Sequence, residues 1–219
     1  MDSNREVRMK TYLFDFDGTL VDSMPTFISV MLRILDENHI EYGEDIVKII
    51  TPLGYAGTAK YYRESLGVSL SEECLIDTMH RYAADAYAYD VQAKKSVIET
   101  LRRMKERGDD LNVLTASPHD MLDPCLKRLG IFELFSNVWS CEDFGTTKSN
   151  PDIYRMAARK IGKPVDEIIF VDDNYNADLT AKAAGMTVFG IYDESSAEYE
   201  EQIRAVTDGY ARTFDELLV

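Results

Sequence analysis

Cationic residues are scarce in this sequence. Across 219 residues, 24 Lys and Arg stand against 39 Asp and Glu, a formal net charge of −15. Such a field repels phosphate backbones and anionic headgroups, so neither nucleic acid nor a membrane surface is an expected partner. Cysteine is also sparse. Cys74, Cys125 and Cys141 lie far apart, and no pair has the spacing of a zinc knuckle or a redox motif. Their expected state is the buried thiol of a reducing compartment. No apolar run approaches the ~20 residues that span a bilayer. The opening MDSNREVRMK is polar and lacks the apolar stretch of a signal peptide, so the expected location is cytoplasmic. Internal repeats and low-complexity stretches are missing as well.

What is present is an ordinary globular composition, 45% hydrophobic and 29% charged. A chain of this length buries a core without disulfides or a structural metal. It accommodates one large domain, or one domain with a smaller insert. Monomer and homodimer are both compatible with it. The acidic balance leaves room for a small anionic substrate, provided that cations, backbone donors or a metal form a local trap.

The pattern along the chain changes twice. Residues 11–16, TYLFDF, read as a buried strand that ends on Asp15, with Gly18 breaking it. From Pro25 the period becomes helical, with Phe27, Met31, Ile34 and Leu35 on one face. Residues 51–58, TPLGYAGT, read as a loop, and 59–66 as a short helix closed by Gly67. Ser69 and Glu72 fit a capping box. The next helix shows an apolar face of Leu75, Ile76, Met79, Tyr82, Ala83 and Ala86. From residue 90 onward, strands (111–115, 137–140, 167–171, 186–191) alternate with helices (94–107, 121–129, 151–161, 176–184, 195–206, 213–218). The run EIIFV at 167–171 has the continuous apolar character of a strand buried on both faces.

This alternation predicts an α/β fold with a doubly wound parallel sheet. The first strand joins that sheet, so the all-helical stretch becomes an insertion. The expected domains are an α/β core at 1–23 and 90–219 and a helical cap at 24–89. The acidic run DESSAEYEE (193–201) reads as a solvated helix face.

In open parallel sheets, ligands bind beyond the carboxyl ends of the strands. Those positions hold Asp15 and Asp17, then Thr115 with Ala116 and Ser117, then Asp172 and Asp173, while Lys148 precedes the helix that begins at Pro151. A single Asp after a strand commonly caps a turn. Four carboxylates on one rim repel one another and call for a cation among them. Clustered oxygen ligands suit a hard ion, and Mg²⁺ is the expected cofactor for phosphate chemistry.

The segment from Asp15 to Ser23, DFDGTLVDS, resembles the first motif of the haloacid dehalogenase superfamily in its phosphatase branch. Thr115, Lys148 and Asp172-Asp173 follow in the order and spacing of the second, third and fourth motifs. The resemblance spans nearly the whole chain, and the helical insert resembles the cap of phosphoglycolate phosphatases and β-phosphoglucomutases. It implies that Asp15 is the nucleophile that forms an aspartyl-phosphate, and that Asp17 is the general acid and then base. It also implies that Thr115 and the Ala116 N–H bind phosphoryl oxygens, and that Lys148 neutralises charge. Asp15, the Asp17 carbonyl, Asp172 and Asp173 would hold Mg²⁺. The implied substrate is a small-molecule phosphate monoester, phosphoglycolate-like.

The sequence departs from the family pattern at two places. Lys148 is followed by Ser149, with Pro151 further on, and the position four residues after Asp173 is Ala177, with Asp178 one later. Asp178 is therefore not expected as a ligand, and Asn176 takes the orienting role instead. In the cap, the loop 54–58 with Thr58 and Lys60 is the expected contact for the distal part of the substrate. His119 is weighed as an entrance residue, and Trp139 as packing. A β-phosphoglucomutase-type mutase is the alternative. Those mutases commonly carry a histidine early in the first cap helix, where this chain has Phe27. Carbon–halogen hydrolysis does not use a second Asp as acid/base, so Asp17 argues against it. A catalytically silent binding protein would not need the full motif set.

Overall fold

Uninterrupted apolar runs become the central strands because both of their faces are covered. A computed structural model describes residues 9–218. In it, β1 (Thr11–Phe14), β4 (Asp110–Thr115), β5 (Asn137–Ser140), β6 (Ile168–Asp172), β7 (Thr187–Ile191) and β8 (Gly209–Ala211) form a parallel sheet of order β5-β4-β1-β6-β7-β8. Four helices, α5 (Val97–Glu106), α6 (His119–Arg128), α7 (Asp152–Ile161) and α8 (Tyr175–Ala184), alternate with these strands, as the α/β reading requires. A short helix α9 (Glu200–Val206) precedes β8.

β1 lies between β4 and β6, so successive strands add outward on one side of it through β4 and β5 and on the other through β6, β7 and β8. That switch point opens a crevice at the carboxyl ends of the strands. Three strands escaped the sequence pattern: β8, and the ribbon in which β2 (Val21–Asp22) pairs antiparallel with β3 (Gln92–Ala93). All three are too short to show a period. The stretch 195–206 begins as a 3-10 turn, Glu194–Tyr199, before α9.

The chain divides into two compact units. One comprises the described residues of Met1–Asp22 and Gln92–Val219, the other Ser23–Val91. The second unit holds α1 (Met24–Glu37), α2 (Ile46–Ile50), α3 (Gly54–Glu64) and α4 (Glu72–Tyr89). Met31, Ile34, Leu35, Ile50, Tyr62, Leu75 and Met79 form its core. The Tyr62 hydroxyl donates to the Met31 carbonyl at 3.0 Å.

Three local expectations need correction here. Residues 51–58 are not a loop: a 3-10 turn runs over Thr51–Leu53 and α3 begins at Gly54. Packing against Leu53 and the helical core overrides the two glycines, which are weak helix formers only by propensity. The cap of α4 is Ser71, which accepts the Cys74 N–H at 3.2 Å, rather than Ser69. Cys125 and Cys141 are buried thiols, but Cys74 is exposed. No described helix is long and apolar enough to cross a membrane. The polar opening lies largely outside the described residues.

Leu13 is fully buried in the central strand and packs with Ile153, Ala157 and Phe170. Leu13→Ala removes that packing and leaves a cavity, so it should cost about 2–5 kcal/mol. Urea titration reads this as a lower midpoint, and an unchanged midpoint would contradict this core assignment.

Candidate active site

The nucleophile candidate sits where the β1 ladder runs out. The Asp15 N–H still donates to the Val171 carbonyl at 2.9 Å, which fixes its backbone beside β6. The chain then folds tightly. The Phe16 carbonyl accepts N–H groups from Leu20 and Val21, and the Gly18 N–H donates to the Val21 carbonyl. Gly18 has φ +75, and a Cβ there would lie 2.7 Å from both carboxylate oxygens of Asp173. Glycine is required both for the left-handed backbone and for that close approach. Thr19 adds a hydroxyl bond to Asp173 Oδ1 at 3.2 Å.

Asp15, Asp172 and Asp173 are buried, and each places a carboxylate oxygen within 4.8 Å of the others. Lys148 joins two of them, with its Nζ bonded to Asp15 Oδ1 and to Asp172 Oδ2, the latter at 2.8 Å. Burial pushes the Asp15 pKa up to about 7; Lys148 opposes the rise and the charges of Asp172 and Asp17 add to it. Burial works against the Lys148 charge, yet Asp15 and Asp172 hold its pKa well above the ordinary value. Asp173 is raised well above the carboxylate range by burial and then by Asp172, Asp15 and Asp193, with Lys94 opposing. Hard oxygen donors this close together, with the repulsion among them only partly offset by Lys148, fit a divalent cation.

The structure brings Asp17 and the β4 end to the same rim. Ser117 donates its hydroxyl to Asp17 Oδ2, and the Ser117 N–H bonds Thr115 Oγ1 at 3.0 Å. Thr115 is buried and Ala116 is exposed. His119 does not stand alone at an entrance. Its ring nitrogens contact Asp123 and Asp143, each at 2.8 Å, and these two bonds raise its pKa. Trp139 packs edge-on against Phe144 at 5.5 Å, as read.

The two cap candidates belong to the helical unit. Thr58 is fully buried, and its hydroxyl contacts the Ile50 carbonyl at 3.4 Å and Met31 Sδ at 3.7 Å. Its polar group is thus committed to packing within that unit. Lys60 is exposed on α3. Asn176 is exposed, and Asn174 caps α8 by accepting the N–H groups of Asn176 and Ala177. Orientation of the fourth motif therefore comes from Asp172 Oδ1, which accepts the Asn174 N–H at 2.8 Å.

Three residues carry more of the site than their sequence context signalled. Asp178 is completely buried on α8, and neither carboxylate oxygen has a hydrogen-bond partner among the described residues. Burial, reinforced by Asp172 and Asp173, pushes its pKa up to about 10. Asp193, read as part of a solvated acidic face, is buried and pairs with Lys94 at 2.9 Å. That pair is formed across 99 positions of chain, so no local pattern announces it.

The profile of the haloacid dehalogenase-like hydrolases matches residues 9–185. A pyrophosphatase PpaX of Bacillus velezensis is 30% identical over 190 residues, covering 84% of this chain and 83% of the relative. A phosphoglycolate phosphatase of Mannheimia succiniciproducens is 30% identical over 188 residues, covering 81% and 83%. Among solved structures, a predicted phosphoglycolate phosphatase from Haemophilus somnus superposes with a TM-score of 0.80 at 24% identity, with 96% of each chain covered. CbbY from Rhodobacter sphaeroides in complex with phosphate gives 0.76 at 20% identity, with 95% of this chain and 96% of that one covered. These two likenesses establish a shared fold.

Two variants test the geometry. Gly18→Ala combines a left-handed alanine, about 1–2 kcal/mol, with a clash on Asp173, and should lower the urea midpoint. Asp178 keeps its proton in the folded state and loses it when unfolded. The folded state therefore binds more protons above the unfolded pKa, and stability falls as pH rises toward 10. Asp178→Asn removes that loss. In EDTA, its stability relative to wild type should increase with pH from about 5 to about 9, by roughly 1 kcal/mol per pH unit. A difference that is flat across this range would show that Asp178 is ionised in the fold.

Proposed function

The chain belongs to the haloacid dehalogenase-like hydrolases and is a phosphatase of that family; from that membership and the rim geometry we propose a Mg²⁺-dependent phosphomonoesterase for a small, phosphoglycolate-like ester. The observation that carries this reading is Lys148 held between Asp15 and Asp172 while Asp173 places a carboxylate oxygen within 4.8 Å of an oxygen of each. An acidic rim repels phosphate unless cations organise it; here the Lys148 ammonium is fixed between two of the carboxylates, and the carboxylate oxygens suit a divalent ion beside it.

In this proposal Asp15 attacks phosphorus. A bond forms from its carboxylate oxygen, and the bond from phosphorus to the ester oxygen breaks. Asp17 delivers a proton to the departing alkoxide. It then takes a proton from the water that attacks the aspartyl-phosphate, which releases inorganic phosphate and regenerates Asp15. The Ser117 hydroxyl, bonded to Asp17 Oδ2, orients the carboxyl for that transfer. Thr115 and the Ala116 N–H bind phosphoryl oxygens, and Lys148 offsets the negative charge that builds on them. Asp15, the Asp17 carbonyl, Asp172 and Asp173 are the residues assigned to Mg²⁺. A bound Mg²⁺ ion polarises the phosphoryl group and lowers its repulsion toward Asp15.

The core at 1–23 with 90–219 is assigned the chemistry, and the helical cap at 24–89 the choice of substrate. Lys60 stays a candidate substrate contact because its ammonium is exposed; Thr58 is assigned to packing. Phe27 stacks on Tyr55 at 5.4 Å and offers no proton where mutases commonly carry a histidine, which favours hydrolysis over mutase chemistry.

Asp15→Asn should lower kcat for p-nitrophenyl phosphate by about a thousandfold or more, with circular dichroism unchanged. Retained turnover would remove Asp15 from the mechanism. EDTA should abolish activity and Mg²⁺ restore it; turnover in EDTA would overturn the metal assignment. A panel of phosphoglycolate, pyrophosphate, nucleoside monophosphates and sugar phosphates identifies the substrate. Conversion of glucose 1-phosphate without phosphate release would instead point to the mutase.

A further inference from the structure

Lys94 has no place in the four motifs, yet it is among the most completely engaged cations in the α/β unit. Its Nζ donates to the Gly18 carbonyl at 2.5 Å, to the Tyr192 carbonyl at 2.6 Å and to Asp193 Oδ2 at 2.9 Å. An ammonium has three protons, and each has an acceptor. The side chain is only 19% exposed, and its Asp193 partner 7%. The Lys94 backbone N–H also donates to the Leu20 carbonyl at 3.0 Å. Side chain and backbone therefore grip the same turn, 18–20, from one residue.

That turn carries the proposed chemistry. Gly18 follows Asp17 and lies against the Asp173 carboxylate, and Thr19 bonds Asp173 Oδ1. The Gly18 carbonyl is held by Lys94, and the Gly18 N–H by Val21. On its other side Lys94 is anchored to the loop after β7 through Tyr192 and Asp193. Asp193 in turn accepts the Ser195 N–H at 3.0 Å and its hydroxyl at 2.5 Å. The anchor is buried, so the grip is not a solvent-exposed ion pair of negligible strength. The charge is also placed where it is needed. Lys148 pairs with Asp15 and Asp172, while Lys94 holds the carbonyl of the glycine that lies against Asp173 and opposes the rise of the Asp173 pKa.

We infer that Lys94 is a positioning residue of this active site. Tied to Asp193 and Tyr192, it fixes the turn after β1 so that Asp15 and Asp17 keep their aim, and it supplies the counter-charge on the Asp173 side of the carboxylate cluster. This inference rests on the phosphatase reading for its catalytic consequence, and on the tether geometry alone for its structural one. A tether of this kind acts on the transition state more than on the bound ester, because a misaimed nucleophile slows the reaction without removing phosphate contacts.

The test uses the full chain with Cys74→Ser, since Cys74 is the exposed thiol while Cys125 and Cys141 are buried. In that background Lys94→Cys deletes the ammonium. Treatment with 2-bromoethylamine rebuilds it: the thiolate displaces bromide, forming a carbon–sulfur bond and a side chain of nearly lysine length. Lys94 lines a cleft of about 290 Å³ with Thr19, Lys95 and Asp193, through which the reagent reaches it. Hydrogen exchange of a peptide covering residues 15–20 should rise about tenfold in Lys94→Cys while core strands keep their protection, and fall back after aminoethylation. With p-nitrophenyl phosphate, kcat should drop about a hundredfold with KM within about threefold, and aminoethylation should recover at least about tenfold of it. If Lys94→Cys does not fold, Asp193→Asn serves instead. It keeps an oxygen for the Ser195 bonds, removes the charge paired with Lys94, and should loosen the same peptide and lower kcat by about tenfold.

Unchanged exchange at 15–20 overturns the tether, whatever the activity. A loosened turn with unchanged kcat, or a loss that aminoethylation does not reverse, overturns the positioning role. Wild-type protein inactive on every phosphate ester sinks the phosphatase reading instead, while the exchange experiment still decides the tether.

Discussion

Three buried carboxylates within 4.8 Å of one another are the constraint around which the α/β unit is arranged. Left to themselves they would repel, take up protons or open the sheet edge. Lys148 meets this by spanning Asp15 and Asp172, the ends of two adjacent parallel strands. The ion pair is nearly dry, so removing one partner would strand a charge in low dielectric. The same dryness strengthens it as a device for handling a phosphoryl group, because fixed charges act more strongly where water is excluded.

The rest of the rim can be understood as support for that arrangement. Gly18 admits the Asp173 carboxylate where any Cβ would collide. Tyr154, buried behind the site, has its hydroxyl between the carbonyls of Lys148 and Ala177, at 3.2 and 3.1 Å, which share its one proton, and so links the third motif to helix α8. Asp172 orders the turn into α8 through the Asn174 N–H. Asp178 lies close to this cluster with its oxygens unpartnered among the described residues, and burial with the charges of Asp172 and Asp173 pushes its pKa up to about 10. A neutral carboxyl there adds no further charge to a region already crowded with anions.

Much of the sheet and the motif residues was legible in the sequence because the signals are local. Apolar runs such as 11–14 and 168–171 specify buried strands, and glycines near helix ends mark where they stop. Parallel strands place their carboxyl ends on one rim, so strand order alone brings Asp15, Thr115 and Asp172 together. Short elements were not legible. The pair β2 and β3 has two residues each, too few for a period, and exists because the chain must leave and re-enter the α/β unit side by side. The start of α3 was misread because two glycines argue against a helix that packing nonetheless enforces.

By itself the sequence determined the family, the parallel sheet, and the identity and order of the acidic and basic residues at the strand ends. These depend on residue type and on spacing along the chain. The tertiary structure decided which charges meet. It took Asp193 out of an acidic run and paired it with Lys94, buried Thr58 and Asp178, and set His119 between two carboxylates. Those outcomes depend on distances between residues tens of positions apart and on loss of solvent. Electrostatic energy varies with both, and neither is written in a linear pattern.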